Sequence, residues 1–220
     1  MTNKTITLEE PGRFVLGETD APSGPGPGDV LVAVRRIGIC GTDLHAFRGQ
    51  QPYFSYPRVL GHELGVEVLE LGEGAEGVSV GDRCAVEPYL NCGRCRPCLA
   101  GRTNCCSKLQ VLGVHIDGGM RQTITVPANK LHKSDCLRLE QLALVETLGI
   151  GAHAVDRSKV VDGEDVLVIG AGHDPASLKH GWVYVPRMLH ETSIVLIEEP
   201  GPEGCHFRPM DAAEIAHLAA

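Results

Sequence analysis

Between residues 92 and 106 the chain places five of its nine cysteines: Cys92, Cys95 and Cys98 at three-residue intervals, then Cys105 and Cys106. No other feature limits the fold as strongly, because thiols this close in sequence either pair as disulfides or gather around a metal. Four thiolates fill a tetrahedral zinc shell and leave no open position, so such a site is structural. Its effect would be to fix a polar loop, rich in Gly and Pro, that cannot fold by burying its own surface. A disulfide scaffold would call for an oxidising compartment and an export signal. The first ten residues, Met1 to Glu10, carry no apolar signal core. A zinc–thiolate loop in the reducing cytoplasm is the reading carried forward.

Composition narrows the rest. The 220 residues suffice for one substantial core, or one domain with an appendage. With 27 Gly, 14 Pro and few aromatics, the chain suits a turn-rich β protein. A formal charge of −8 argues against a nucleic-acid surface, and no apolar run reaches the roughly 20 residues that span a bilayer. Short strands are predicted at Thr5–Leu8, Val30–Val34 and Val66–Leu71. The first is followed by a loop over residues 21–28, and the last alternates as a strand with one wet face does. Residues 140–151 carry helical spacing.

A second constellation lies upstream. Cys40-Gly-Thr42-Asp43-Leu-His45 is followed by Gly61-His62-Glu63. Cysteine and histidine are accepted ligands of divalent zinc, and a carboxylate can complete a three-residue set that leaves one position open for chemistry. The alternative is a helix start capped by Thr42 or Asp43 beside an ordinary cysteine.

Taken together, these motifs resemble those of the zinc-containing medium-chain alcohol and polyol dehydrogenases, from about residue 5 to residue 170. The resemblance implies a mainly β, GroES-like barrel (residues 1–165) with short helices and a structural-zinc lobe (88–110). It implies two zinc ions per chain. Cys40, His62 and Glu146 would hold the catalytic ion, the glutamate being the polyol branch's third ligand. Cys92, Cys95, Cys98 and Cys106 would hold the structural one, since Cys106 keeps the family spacing and Cys105 does not. Thr42 would bond the substrate oxygen and start a proton relay through His45, while Asp43 orients the ligand histidine. Glu63 would approach the metal transiently or hold a nearby charge. His115 and His132 have no ligand-spaced partner, and the pocket is expected near Phe47, Tyr53, Phe54 and Glu87.

The resemblance breaks near residue 170. Asp165–Gly172 looks like the first strand and turn of a nucleotide-binding Rossmann domain, but the third glycine place of the fingerprint holds Pro175. Residues 166–220 read instead as a remnant of that domain, followed by a returning strand (Ser193–Ile197) and helix (Asp211–Leu218). On this reading no complete Rossmann domain is present and NAD(P) is not expected to bind. The leading function is then a zinc enzyme that polarises a substrate hydroxyl or carbonyl in a redox-neutral reaction (lyase, isomerase, cyclase or hydrolase type). The alternatives are a dehydrogenase that takes NAD(P) through a partner chain or a reduced site, and a non-catalytic zinc-stabilised binding module. Expected partners are a small molecule and a homodimer mate or partner chain over the surface the missing domain would leave. No nucleic acid or membrane is expected.

Overall fold

The computed structural model describes residues 2–52 and 54–159 in full, and the backbone of Trp182–Pro186, Thr192–Ile197 and Phe207–Pro209. Two compact units divide the chain, Met1–Glu146 and Thr147–Ala220; the sequence reading places its division after residue 165.

The first unit starts with a hairpin, β1 (Thr2–Glu10) and β2 (Arg13–Asp20), which β4 (Arg58–Val59) extends to a three-stranded sheet in the order β2-β1-β4. β3 (Asp29–Gly38) is the centre of a five-stranded antiparallel sheet with β5 (Glu63–Leu71), β6 (Arg83–Val86), β9 (Thr123–Pro127) and β10 (Leu131–Lys133), in the order β10-β6-β5-β3-β9. The β-branched run of β3 alternates as its pleat demands: Val30 and Val32 are fully buried against Leu64, Val66 and Val68 of β5 and Ile124 and Val126 of β9. Burying each such side chain contributes about 1.5–3 kcal/mol, so this face fixes the register.

The two sheets are joined where the segment before β9 meets β1. Ile6 donates its N–H to the Met120 carbonyl, and Gln122 donates its own to Lys4. The buried Asn3 side chain clasps the same seam: its amide donates to Thr123 O, and its carbonyl accepts the N–H groups of Gln122 and Thr123. A buried amide satisfied in this way holds its partners without a desolvation penalty left over. A smaller core of Leu8, Ala46 and Leu60 fills the interior beside this seam, with Phe47, Phe54, Tyr56 and Met120 packed on it. Phe47 and Phe54, expected near the pocket, therefore serve packing; Tyr53 lies outside the described residues.

Over the predicted stretch Val66–Leu71, β5 buries Val66 and Val68 and leaves Glu67 half-buried and Glu70 exposed, with Leu69 exposed as well. Upstream of it Glu63, Leu64 and Gly65 are all buried, where helix α3 (Leu139–Ala143) packs on the strand. The helix expected over 140–151 is two helices, α3 and α4 (Val145–Ser158), separated at Leu144. There the N–H of Leu144 bonds to Gln141 O, a tighter three-residue step that interrupts the α pattern.

Two further short elements frame the cysteine loop. β7 (Tyr89–Leu90) pairs with β8 (Gln110–Val111), and α2 (Arg96–Leu99) lies between them. In the second unit, β11 (Trp182–Pro186), β12 (Thr192–Ile197) and β13 (Phe207–Pro209) form an antiparallel sheet in the order β11-β12-β13. The strand predicted at Ser193–Ile197 lies within β12. The Rossmann-like turn at 165–172 and the helix at 211–218 fall outside the described residues. Among the described residues no helix is long and apolar enough to cross a membrane.

Candidate metal centres

The β7–β8 pair is the base of the cysteine loop, and its turn residues converge four sulfurs. The Sγ atoms of Cys92, Cys95, Cys98 and Cys106 all lie within 4.8 Å of one another. Cys95 Sγ is 3.4 Å from Cys98 Sγ and 3.8 Å from that of Cys106. Cys105 is exposed and stands outside the set. Backbone N–H groups aim at the sulfurs: those of Cys92 and Lys108 both donate to Cys106 Sγ at 3.3 Å. Amide donors stabilise thiolate charge. Those of Cys98 and Ser107 draw the Cys95 thiol down to about 6, and those of Arg94 and Cys95 lower Cys92. Desolvation and the sulfurs of Cys95 and Cys106 push Cys98 up to about 11. Crowded thiols thus share negative charge unevenly until a cation compensates it, and an all-sulfur tetrahedral set suits zinc.

The second cluster draws its members from distant parts of the chain. Cys40 precedes helix α1 (Gly41–Phe47), and its N–H donates to Asp43 Oδ2 at 2.9 Å, closing the first helical turn. Thr42 is half-buried and His45 exposed on the same helix. His62 and Glu63 stand at the start of β5. Consecutive strand residues point to opposite faces; here Gly61, at φ +94°, redirects the chain just before the pair. A side chain at 61 would be strained there and would press on Met120 and Ile37. The result is that ligand atoms of Cys40, His62 and Glu63 lie within 4.8 Å of one another.

The cluster is buried as well as convergent. Asp43, His62 and Glu63 are only 4%, 6% and 3% exposed. Asp43 reaches both sides of it, with Oδ2 on the Cys40 amide and Oδ1 3.8 Å from His62 Nδ1. That imidazole nitrogen is buried with no hydrogen-bond partner at ordinary distance. Burial disfavours the His62 cation, but the hydrogen bond to Cys40 and the charges of Asp43, Cys40 and Glu146 outweigh it and raise the pKa to about 9. For Asp43, burial raises the pKa more than His62 and the amides of Cys40 and Gly61 lower it. Once His62 is neutral, the thiolate and carboxylates drawn into one buried spot repel one another. A divalent cation relieves that repulsion, so the donor set fits a zinc ion.

Glu146, the ligand expected from the sequence, is at the first turn of α4 and not a member of this set. Its Oε1 accepts a hydrogen bond of 2.6 Å from the Tyr89 hydroxyl. Burial, then this bond, raises the Tyr89 pKa, so the phenol stays protonated and donates. Sequence reading missed Tyr89, which lies three residues before Cys92 and carries no spacing signal of its own. Glu87, expected near the pocket, pairs with the buried Lys130, and His132 Nε2 lies 3.4 Å from its other oxygen. His115 Nδ1 accepts the Val111 N–H at 3.1 Å, a turn contact. A cavity of about 440 Å³ lies along the β1–β2 hairpin, lined by residues such as Thr5, Thr7, Glu9 and Thr19; no member of either cluster lines it.

Known proteins agree with this architecture. Residues 26–136 match the alcohol dehydrogenase GroES-like domain. The chain is 49% identical over 171 residues to an uncharacterized zinc-type alcohol dehydrogenase-like protein of Haemophilus influenzae, covering 77% of this chain and 50% of that one. It is 43% identical over 171 residues to the L-galactonate-5-dehydrogenase of Escherichia coli, covering 78% and 50%. A crystal structure described as a short chain alcohol dehydrogenase (rspB) from Escherichia coli CFT073, complexed with NADH, superposes with a TM-score of 0.72 at 39% identity, covering 78% and 50%. The chain spans about half the length of the curated relatives it matches.

Proposed function

We propose that this chain, which belongs to the alcohol dehydrogenase GroES-like domain family, carries the zinc-binding catalytic half of an alcohol or polyol dehydrogenase. The observation behind this reading is the buried convergence of Cys40, His62 and Glu63 within 4.8 Å. Three protein ligands leave a fourth position for a substrate oxygen, and a zinc ion there would polarise a hydroxyl or carbonyl. The four-cysteine cluster would hold a second, structural zinc, in keeping with a reducing cytoplasm.

In this role Asp43 holds the start of α1 through the Cys40 amide and faces His62 Nδ1 at 3.8 Å, so that its charge favours the ring orientation a metal needs. Oxidising a secondary alcohol releases one proton and one hydride. The described residues account for the proton: Thr42, half-buried beside Cys40, takes it from the substrate hydroxyl, and exposed His45 on the same helix passes it to solvent. The hydride acceptor would be a nicotinamide, as the NADH bound to the Escherichia coli CFT073 protein suggests.

The relatives' names move the weight from redox-neutral chemistry, expected on the sequence, towards oxidation and reduction. Incubating the zinc-loaded chain with polyols and sugar acids and either NAD⁺ or NADP⁺ tests this. Formation of reduced nicotinamide that disappears in His62→Ala supports the dehydrogenase. A zinc-loaded chain that converts a hydroxy substrate with no nicotinamide consumed would restore the redox-neutral reading.

A further inference from the structure

Charge is divided unevenly along the chain. From residue 88 to residue 116 there is no Asp or Glu, and Arg94, Arg96, Arg102 and Lys108 are all exposed on the cysteine loop. All 28 acidic residues lie elsewhere. Zinc held by four thiolates carries two negative charges, too few to cancel these four cations. Among the described residues none of the four meets a carboxylate, whereas Arg13, Arg35, Arg36 and Arg58 each do. Leu99 ends helix α2, between Arg96 and Arg102 in the chain, and is 77% exposed. The lobe thus presents an apolar knob among unpaired cations.

An acidic counterpart lies where β5 runs out. From residue 59 to residue 82 there is no Lys or Arg. Glu70, Glu73 and Glu76 are exposed there, and none joins an ion pair among the described residues. The turn that carries them is well held: Gly28 donates its N–H to Glu73 O at 2.8 Å, Gly72 donates its own to Asp29 O at 2.9 Å, and Ala75 packs on the core. Val80, a few residues on, is 64% exposed.

We propose that the cysteine lobe docks on the acidic 70–76 turn of a second copy of this chain. Opposite potentials steer two such surfaces together and set their register, and Leu99 supplies the apolar centre that a charged rim would surround. Lobe and turn are different surfaces of one chain, so the contact is heterologous and joins copies head to tail. A nucleic acid suits the lobe less well. There is no Phe, Tyr or Trp from residue 90 to residue 116 on which a base could stack, and a net charge of −8 repels a polyanion. The contact goes beyond the dehydrogenase reading and does not depend on it.

Sedimentation of the zinc-loaded full chain over a range of concentrations tests this. Raising salt from about 0.1 M to about 1 M shortens the screening length from about 10 Å to about 3 Å, and self-association should weaken at least about tenfold. Reversing the lobe (Arg96→Glu with Arg102→Glu) or the turn (Glu73→Lys with Glu76→Lys) should each weaken it by a similar factor, because like charges then face each other. Mixing the two reversed proteins should restore association, since each offers the other a complementary surface; loss of fold or of zinc cannot imitate that. The turn variant leaves the cysteine loop untouched and keeps the test open if the lobe variant sheds its zinc. A chain that stays monomeric at low salt overturns the proposal, as does association that salt and both reversals leave unchanged. So does a mixture of the reversed proteins that fails to associate. Binding of a mixed-sequence RNA oligonucleotide by the lobe, with the chain still monomeric, would assign the patch to nucleic acid instead.

Discussion

The two clusters reach similar closeness by opposite routes. The four cysteines come from one segment of the chain, 92–106, whose frame is slight: the two-residue pair β7–β8, the single turn α2 and a 3-10 turn at Thr103–Cys105. The mixed cluster comes from a helix start and a strand start more than twenty residues apart, each held by buried neighbours. A local cluster needs its metal to become structure, whereas a cluster on a rigid scaffold is structure already and can devote its metal to chemistry. The contrast yields experiments that can break it.

The largest effect is expected from Cys95→Ser or Cys106→Ser. Either should release one zinc per chain and lower stability by several kcal/mol, the scale reached when a structural metal is lost. Calorimetric melting with zinc analysis checks it. A mutant that loses this zinc but melts like the parent would show that the loop needs no metal.

His62→Ala is next, and opposite in kind. Zinc affinity at the mixed centre should fall at least about 100-fold, as loss of a ligand exceeds the 10–100-fold typical of outer partners, while the protein should lose less stability than the cysteine variants do. A collapse in stability would erase the distinction between the clusters.

Gly38→Ala sharpens the scaffold side. Gly38 faces Glu63 across β3–β5, and a methyl group there would occupy the space of the Glu63 carboxylate. The expected cost is about 1–3 kcal/mol of stability, as for other overpacked sites, with zinc bound about tenfold less tightly because Glu63 is displaced. Unchanged affinity would remove Glu63 from the ligand set.

Acidity acts more gradually. Zinc requires a neutral His62, and the protonated form dominates below about 9. Zinc affinity at the mixed centre should therefore fall about tenfold for each pH unit below that point and level off above it. The metal-free fold shows the opposite trend: with a pKa raised above the unfolded value of 6.5, His62 stabilises most in acid and loses that contribution as pH rises through about 9. Metal titrations and metal-free melts across this range should cross in slope; parallel slopes would mean His62 does not face the ion.

The smallest effect is expected from Lys130→Met, which leaves both clusters alone. It removes a buried ammonium from a carboxylate that is a third exposed, so solvent and His132 offset part of the loss, leaving about 1 kcal/mol. Altered zinc affinity would reveal a coupling to the clusters that the contacts do not suggest.

How much of this was legible beforehand follows the same contrast. The cysteine loop could be read because its information is its spacing. β3 could be read because Val30 and Val32 alternate as strand residues must. The mixed cluster was partly legible: Cys40 and His62 stood out, and the approach of Glu63 to within 4.8 Å of both depends on where β5 starts and on the bend at Gly61. Those are facts of three-dimensional approach, with no period in the chain to announce them. The break at Leu144 and the burial of the first residues of β5 on both faces escaped for a related reason, since both arise where α3 lies on the sheet.

One carboxylate spans the mixed centre, with an oxygen on the amide of Cys40 and the other facing the ring of His62. Asp43 therefore stands between helix start and strand start, bonded to the first and turned towards the second. The donors gathered round it decide which ion is suited: sulfur and imidazole nitrogen favour small ions of tetrahedral preference, and oxygen-seeking ions such as calcium find few of the ligands they take.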